Sequence, residues 1–259
     1  MKAKKSFGQH FLNREEIAER IANSLKLEHT YEALLEVGPG KGMLTKYLLE
    51  KDLDFVAVEA DRDMVAYLEH YYPTMRGKII SEDFLKLPLD TVFENNKSFG
   101  LIGNFPYNIS SQILIRLIQY REHIPEMVGM FQKELAERVI AGPGGKDYGV
   151  ISLLVQAYYS GEYLFTVSPG SFSPPPKVKS GVIRLTRKPG DDIGCDPKLF
   201  RTVVKTSFNQ RRKMLRNTIK SMIQDESLLK DESFNRRPEE LSLAEFVELT
   251  NFIEKNQAK

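Results

Sequence analysis

Short apolar runs recur between residues 33 and 186, and segments with apolar side chains one helical turn apart lie between them. A short apolar run bounded by turn-forming residues is typical of a buried strand. The pattern predicts seven strands, at 33–37, 55–59, 78–81, 99–103, 127–131, 163–167 and 182–186. Because strands that alternate with helices form parallel sheets covered on both faces, we expect an α/β fold around a mostly parallel seven-stranded sheet.

Helical periodicity occupies the segments before and between these strands. Asn13 and Glu16 have the spacing of a helix cap. Ile17, Ile21 and Leu25 follow on one face, which predicts an amphipathic helix near the N-terminal end. Further helices are predicted at 43–49, from 63 until Pro73, and at 110–120.

The composition changes near residue 188. Turn-forming residues occupy 188–192 (KPGDD), and only helical periodicity follows them. We therefore expect two domains, a sheet-containing domain at 1–188 and a helical domain at 189–259. Helices of the second domain are predicted at 197–207, at 211–223 and after a capping box formed by Ser242 and Glu245.

The bulk composition narrows the class of protein. Of the 259 residues, 41% are apolar and 28% are charged, and no apolar run reaches the roughly 20 residues of a membrane span. The lone cysteine, Cys195, excludes an internal disulfide, and the four scattered histidines lack the spacing of metal ligands. We expect a soluble cytoplasmic protein of enzyme size without a metal site.

Basic residues are clustered, although the net charge is only +2. The clusters are Lys2, Lys4 and Lys5; Lys177 and Lys179; and Arg211, Arg212, Lys213, Arg216 and Lys220. Each cluster could be no more than a solvated face. A role in binding a polyanion depends on what lies nearby in the fold.

The loop after the first strand, EVGPGKG at 36–42, carries closely spaced glycines. Gly38 and Gly40 would let the backbone turn sharply and approach a ligand, although a tight strand-to-helix connection has the same composition. Glu59 ends the second strand roughly 20 residues later, where a carboxylate can accept both hydroxyl hydrogens of an adenosine ribose. The G-x-G-x-G spacing differs from the dinucleotide fingerprint G-x-G-x-x-G, which disfavours NAD.

Asp83 follows the third strand, where its carboxylate could accept a hydrogen bond from an adenine amine while Phe84 lies against the ring. The alternative for Asp83 is a cap on a short helical turn. Because the carboxyl ends of parallel strands meet at one edge of the sheet, the glycine turn, Glu59 and Asp83 together describe a nucleoside site without a pyrophosphate. S-adenosylmethionine fits that description.

The fourth strand runs into Asn104–Tyr107 (NFPY), the most specific chemical signal in the chain. An adenine amine is a weak nucleophile because its lone pair is delocalised into the ring. The side-chain oxygen of Asn104 and the carbonyl of Pro106 could accept its two hydrogens and oppose that delocalisation. Tyr107 offers a face on which an extruded base can stack. Catalysis then depends on holding the nitrogen in line with the sulfonium methyl; a plain turn is the alternative.

Phe172 precedes three prolines, at 174–176, that stiffen the loop before the last strand. In a rigid loop Phe172 could be a second stacking partner for the target base. A buried core phenylalanine is the competing interpretation.

Motifs along the whole chain resemble those of the small-subunit ribosomal RNA adenine dimethyltransferases, the RsmA or KsgA family. The matching segments are 6–12 (SFGQHFL), 36–40, Glu59, 82–83, 104–107, 172–180, 208–213 (FNQRRK) and 215–217. The resemblance implies a class I, Rossmann-like methyltransferase core with a small helical C-terminal domain. It also implies dimethylation of N6 on two adjacent adenosines in the 3′-terminal hairpin loop of small-subunit (16S) rRNA, with a role in maturation of the immature small ribosomal subunit.

The resemblance extends to individual positions. It implies cofactor contacts at His10, Leu12, Gly38, Glu59, Asp83 and Asn104. The segment FGQHFL would close over the cofactor as a lid. It implies phosphate contacts for Arg211, Arg212, Lys213 and Arg216 on a helix, and we expect a monomer. The chain has His10 where many relatives have Asn, and Phe105 where leucine or isoleucine is commoner; neither change touches the acceptors at Asn104 and Pro106.

Three other functions compete with this one. A related enzyme that methylates large-subunit rRNA and confers macrolide resistance shares the NFPY-type motif, but the segment QRRKMLRN and the long lid favour the small-subunit enzyme. A non-catalytic RNA-binding or assembly factor is disfavoured by intact Glu59, Asp83 and Asn104. An NAD-linked oxidoreductase is disfavoured by the glycine spacing and by the lack of a suitably placed hydride-transfer partner.

Overall fold

The computed structural model describes residues 8–190 and 192–257. The expected basic cluster of Lys2, Lys4 and Lys5 and the first two residues of the SFGQHFL segment lie outside these described residues. Two compact units are present. The first comprises the chain up to Glu137 together with Ser160–Arg187, and the second comprises Arg138–Tyr159 together with the chain from Lys188 onwards. Residues 138–159, which the sequence analysis placed in the first domain, thus group with the C-terminal residues.

The strands closely follow the predicted apolar runs. They are β1 (Phe11–Leu12), β2 (Ala33–Val37), β3 (Asp54–Val58), β4 (Ile79–Ile80), β5 (Phe99–Asn104), β6 (Glu126–Gln132), β7 (Tyr159–Val167), β8 (Phe172–Ser173) and β9 (Ser180–Arg187). Seven of them form one sheet in the order β4-β3-β2-β5-β6-β9-β7. The pairs from β4 to β6 are parallel, and β9 is antiparallel to β6. The prediction of a mostly parallel seven-stranded α/β sheet is confirmed.

Helices before and between the strands cover this sheet. They are α1 (Glu15–Ala22), α2 (Thr45–Leu48), α3 (Arg62–Tyr71), α4 (Ser110–Gln119) and α5 (Lys133–Ile140). The expected cap at Asn13 is wrong, because α1 begins after Arg14 without a side-chain cap. The backbone N–H of Asn13 instead donates to the Ser171 carbonyl at 2.9 Å. This bond continues the antiparallel pairing of β1 with β8.

The second unit is helical apart from its share of β7. Its helices are α6 (Val150–Gln156), α7 (Pro197–Asn209), α8 (Leu215–Thr218) and α9 (Leu243–Asn256). The predicted capping box is present, since the Glu245 N–H donates to Ser242 Oγ at 3.3 Å and the Ser242 N–H donates to Glu245 Oε2 at 2.8 Å. Phe208 stacks on Phe246 with ring centroids 5.9 Å apart and meets Tyr148 edge-on, which joins the helices through one aromatic cluster.

The single helix predicted at 211–223 does not form. Residues 211–213 make a turn, α8 covers four residues, and a separate 3₁₀ turn follows at Lys220–Met222. A continuous helix would require the Leu215 N–H to bond the carbonyl of residue 211. That N–H donates instead to the Arg236 carbonyl at 2.9 Å. A distant backbone partner thus replaces the helical one.

The core of the first unit lies between the sheet and its covering helices. Ile21, Leu34, Ala57, Ile102 and Val128 are fully buried or nearly so and belong to one apolar cluster. Among the described residues no helix has the length and apolar character needed to cross a bilayer.

Candidate active site

A cavity of about 540 Å³ opens at the carboxyl ends of β2, β3, β4 and β5. This volume is in the range of small-molecule sites. It brings together nine of the residues singled out from the sequence, namely His10, Leu12, Gly38, Gly40, Glu59, Asp83, Asn104, Pro106 and Tyr107. Phe172 is not among the lining residues. Arg211, Arg212, Lys213 and Arg216 belong to the second unit.

The glycine turn after β2 approaches two other elements of the site. Gly38 and Gly40 have φ values of 70° and 55°, which L side chains rarely adopt. A Cβ atom at Gly40 would lie 3.1 Å from the ring of Phe11, and one at Gly38 would lie 3.7 Å from Pro106 Cδ. The turn therefore needs glycine for its backbone conformation, and at Gly40 for the close approach of Phe11 as well.

Glu59 is buried and is held by the backbone. Its Oε2 accepts from the Gly40 N–H at 3.1 Å, and its Oε1 accepts from the Asp61 N–H at 2.9 Å. Burial raises the pKa of Glu59, against the opposing effect of these hydrogen bonds. An ionised carboxylate offers about four acceptor sites, so about two remain for the hydroxyls of a ribose.

Asp83 shows the capping contact that was the alternative interpretation. Its Oδ1 accepts from the Leu85 N–H at 2.9 Å, and its backbone carbonyl accepts from the Lys86 N–H at 2.9 Å. A carboxylate can make this contact and still accept a second donor through its other oxygen. Both interpretations are therefore compatible with the position of Asp83 at the cavity wall.

Glu36 is a cavity residue to which the sequence analysis gave no role. It is 1% exposed, and its Oε2 accepts from the Thr45 hydroxyl at 2.7 Å. Burial raises the pKa of the Glu36 carboxyl to about 8, although the Thr45 bond lowers it; the nearby charge of Glu59 adds to the increase. A carboxylate inside an otherwise apolar buried strand, ALLEV, was the available signal.

Asn104 lies at the end of β5 with its amide oriented by the backbone of His10. Its Nδ2 donates to the backbone carbonyl of His10 at 3.0 Å. This bond points the amide nitrogen at His10 and leaves Oδ1 as an acceptor without a donor among the described residues. That is the arrangement required of an atom that accepts a hydrogen from an incoming amine.

The carbonyl of Pro106 is already engaged. It accepts from the Ser110 hydroxyl at 3.0 Å and from the Ile109 N–H at 3.3 Å. Both bonds stabilise the turn that leads into α4. A target amine would have to compete with the Ser110 hydroxyl, which can rotate away.

Tyr107 has contacts at both its hydroxyl and its ring. The hydroxyl lies 2.5 Å from Ser180 Oγ, and the ring stacks with the His10 imidazole at a centroid distance of 5.4 Å. His10 Nδ1 lies 2.9 Å from the Pro174 carbonyl. Burial raises the pKa of the Tyr107 hydroxyl. The tyrosine is thus a neutral aromatic platform at neutral pH.

The segment 8–12 is joined to the rest of the first unit by the pairing of β1 with β8. Leu12 pairs with Phe172, and Gln9 Nε2 donates to Asp61 Oδ2 at 2.9 Å. Phe172 is 3% exposed and belongs to the apolar core cluster. The geometry therefore matches the core interpretation of Phe172 and gives no support to a stacking role. Gln9, Ser110 and Ser180 had no role predicted from the sequence. The partners of Gln9 and Ser180 are distant in sequence, and the bond of Ser110 to Pro106 depends on the turn after β5.

The basic cluster of the second unit divides into two kinds of residue. Arg212, Lys213 and Arg216 are exposed. Arg211 is half-buried, and its guanidinium donates to the carbonyls of Gly145 and Lys146. Arg211 is thus committed to its own chain, and Lys220 pairs with Glu226 at 2.8 Å, whereas Arg212, Lys213 and Arg216 face solvent.

Comparison with known proteins gives a consistent result. The family model described as "Ribosomal RNA adenine dimethylase" matches residues 1–255. A curated relative from Flavobacterium johnsoniae, named "Ribosomal RNA small subunit methyltransferase A", is 54% identical over 254 residues, covering 98% of this chain and 97% of that protein. A relative of the same name from Parabacteroides distasonis is 52% identical over 265 residues, covering 100% and 97%.

Solved structures show the same fold. A dimethyladenosine transferase from Plasmodium falciparum has a TM-score of 0.78 at 23% identity, covering 95% of this chain and 98% of that one. The 23S rRNA methyltransferase ErmE has a TM-score of 0.65 at 21% identity, covering 93% and 99%. At these identities the likeness shows the Rossmann-like methyltransferase fold alone.

Proposed function

Because the chain belongs to the ribosomal RNA adenine dimethylase family, we propose that it dimethylates N6 of two adjacent adenosines in the 3′-terminal hairpin loop of 16S rRNA. Family membership makes it an S-adenosylmethionine-dependent rRNA adenine methyltransferase. The finer choice of substrate rests on the relatives, which carry the name of a small-subunit methyltransferase. The observation that carries the chemistry is Asn104, whose open Oδ1 lies on the same cavity as Glu59.

The residues present suit S-adenosylmethionine. Glu59 retains acceptor capacity for a ribose, Gly38 and Gly40 admit a close approach of the backbone, and Asp83 keeps one carboxylate oxygen for an adenine amine. His10 and Leu12 close the cavity from the lid side. We assign these residues and Asn104 as the cofactor site. When bound, S-adenosylmethionine supplies an electrophilic methyl group on a sulfonium.

The chain's own residues then act on the target base. Oδ1 of Asn104 accepts a hydrogen from the adenine amine, which holds the nitrogen and opposes delocalisation of its lone pair. The Pro106 carbonyl accepts the second hydrogen when the Ser110 hydroxyl turns away. Tyr107 supports the extruded base once the His10 ring leaves its face. Positioning supplies the rate enhancement, since a weakly basic amine loses its proton readily after it gains the methyl group.

The proposed substrate also suggests roles for the two parts of the chain. We assign cofactor binding and chemistry to the domain at 1–188 and RNA binding to the helical domain at 189–259. The exposed Arg212, Lys213 and Arg216 support the second assignment, since none of them has an ion-pair partner within 8–190 or 192–257 and exposed cations can contact phosphates. We expect the enzyme to act as a monomer on the immature small subunit in the cytoplasm; the relatives' names support the small-subunit rRNA as its target.

Mass spectrometry of rRNA tests this proposal. Unmethylated small subunits are incubated with the protein and S-adenosylmethionine, and large subunits are treated in parallel. The expected product is dimethyladenosine at two adjacent positions near the 3′ end of the small-subunit rRNA. Methylation confined to the large-subunit rRNA would refute the proposed substrate and favour a large-subunit activity, such as that of the 23S rRNA methyltransferase ErmE, which shares the fold.

A further inference from the structure

The loop between β8 and β9, residues 174–179, contacts at both ends the part of the cavity where the target base is proposed to bind. At its start the Pro174 carbonyl lies 2.9 Å from His10 Nδ1, and His10 stacks on Tyr107. At its end Ser180, which is fully buried, contacts the Tyr107 hydroxyl. The loop is therefore fixed relative to the ring on which the target adenine is proposed to stack.

The tip of this loop has an unusual surface. Val178 is 45% exposed, one of four large apolar side chains with such exposure among the described residues. Lys177 and Lys179 on either side are exposed, and neither forms an ion pair with any residue that the structure describes. The sequence contains no acidic residue from 168 to 190. The tip thus combines an exposed apolar group with two free positive charges.

The tip is also close to the base site. Val178 lies two positions before Ser180, so its Cα lies within roughly 12 Å of the Tyr107 hydroxyl even if the chain is fully extended. A base extruded onto Tyr107 brings its own phosphates and its stacked neighbours to the same rim. Free lysines suit those phosphates, and an apolar side chain suits the face of a base that has lost its stacking partner.

On the basis of the proposed function, we propose that Lys177–Val178–Lys179 is the surface that receives the single-stranded RNA flanking the target adenosine. Lys177 and Lys179 contact the phosphates on either side of the extruded nucleotide. Val178 packs against the neighbouring base that remains in the strand. The loop is a substrate-binding element of the first unit, separate from the basic residues of the second.

Charge-neutral variants test the two lysines. Lys177→Gln/Lys179→Gln is compared with Lys26→Gln/Lys78→Gln, which removes the same charge from exposed positions. Lys78 precedes β4 and Lys26 lies beside the start of β6, so both control residues are at the amino ends of strands. We expect the loop variant to raise the KM for small subunits about tenfold, while the KM for S-adenosylmethionine and the melting temperature stay unchanged. Loss of two phosphate contacts should reduce the slope of log affinity against log salt by about 1.4.

Val178→Ser tests the apolar contact. It should raise the KM for small subunits without altering the salt slope, because no charge is removed. The same slopes are measured for binding of a single-stranded, adenosine-containing oligoribonucleotide, which requires no methyl transfer. A wild-type enzyme that binds this RNA but methylates no rRNA refutes the proposed function, whereas the oligonucleotide slopes still test the loop. Loop variants that match the control variant, or that lose S-adenosylmethionine binding instead of RNA binding, overturn the inference.

Discussion

The ring of Phe105 lies directly over Gly129, so closely that a Cβ atom at Gly129 would stand 2.2 Å from Phe105 Cε2. Gly129 is paired across β5 and β6 with Gly103, where a Cβ atom would lie 3.0 Å from the same ring. Phe105 is 1% exposed and also packs on Phe131, with ring centroids 5.0 Å apart. The two glycines thus leave the space that the Phe105 ring occupies. Because Phe105 lies between Asn104 and Pro106 in the chain, its packing anchors the tetrapeptide 104–107.

This relationship predicts that a larger residue at position 129 is damaging and that a smaller residue at position 105 compensates for it. Gly129→Ala should displace Phe105, lower the unfolding free energy by about 1–3 kcal/mol, and reduce methyl transfer about 10²-fold through misplacement of Asn104. Phe105→Leu/Gly129→Ala should recover much of both properties, because the smaller side chain removes the contacts with the Phe105 ring and leaves only that with Phe131 Cε2 at 2.8 Å. Urea unfolding and steady-state transfer provide the two measurements. Normal activity in Gly129→Ala, or a double variant no better than it, would contradict the anchoring role.

Asn104→Ala should reduce methyl transfer by about 10²-fold or more, since it removes the acceptor that holds the amine. Binding of S-adenosylmethionine, measured by calorimetry, should change only a few-fold, because Glu59 and the glycine turn remain. Asn23→Ala, an exposed residue at the end of α1, serves as the control. Turnover within a few-fold of wild type would refute the role of Asn104 as an acceptor for the target amine.

The buried Glu36 predicts a pH dependence of stability. Its pKa is about 8 in the folded protein against an ordinary value of 4.5, so between these values the folded chain holds a proton that the unfolded chain has released. Stability therefore falls as the pH rises through this window, by at most about 1.4 kcal/mol per pH unit.

Glu36→Gln should remove this fall and make the cofactor-free protein more stable at pH 8, because the amide oxygen can still accept from Thr45. Urea midpoints at pH 5, 6.5 and 8 measure the effect, with Glu32→Gln at an exposed position as the control. If Glu36→Gln kept the wild-type dependence on pH, the carboxyl would not be the group responsible.

The basic cluster predicts opposite phenotypes for adjacent arginines. Arg211→Gln should lower the melting temperature, because the carbonyls of Gly145 and Lys146 lose their donors, with the loss falling on the second unit. Arg212→Gln should leave the melting temperature unchanged and reduce the salt slope of RNA binding by about 1. Filter binding over a salt series and thermal unfolding separate the two. A salt slope unchanged in Arg212→Gln would exclude it from the RNA surface.

The sequence by itself determined the elements whose signals are local. The run ALLEV became β2 with the predicted bounds, and the spacing of Ser242 and Glu245 became the cap of α9. Burial of a short apolar run and a capping box whose two members are three positions apart depend only on neighbours along the chain. The order of glycine turn, Glu59 and Asp83 also placed the cavity correctly, because parallel strands bring their carboxyl ends to one edge of the sheet.

Only the tertiary structure decided where polar groups and large side chains find partners. The Asn13 N–H bonds the Ser171 carbonyl, and the Leu215 N–H bonds the Arg236 carbonyl. These acceptors, far away in sequence, replace the predicted cap at Asn13 and the predicted continuous helix at 211–223. Phe172 packs in the core, and the Pro106 carbonyl accepts a hydrogen bond from the Ser110 hydroxyl. Such contacts depend on distances in space. The periodicity of apolar residues along the chain does not predict these distances, which follow from packing of the complete fold.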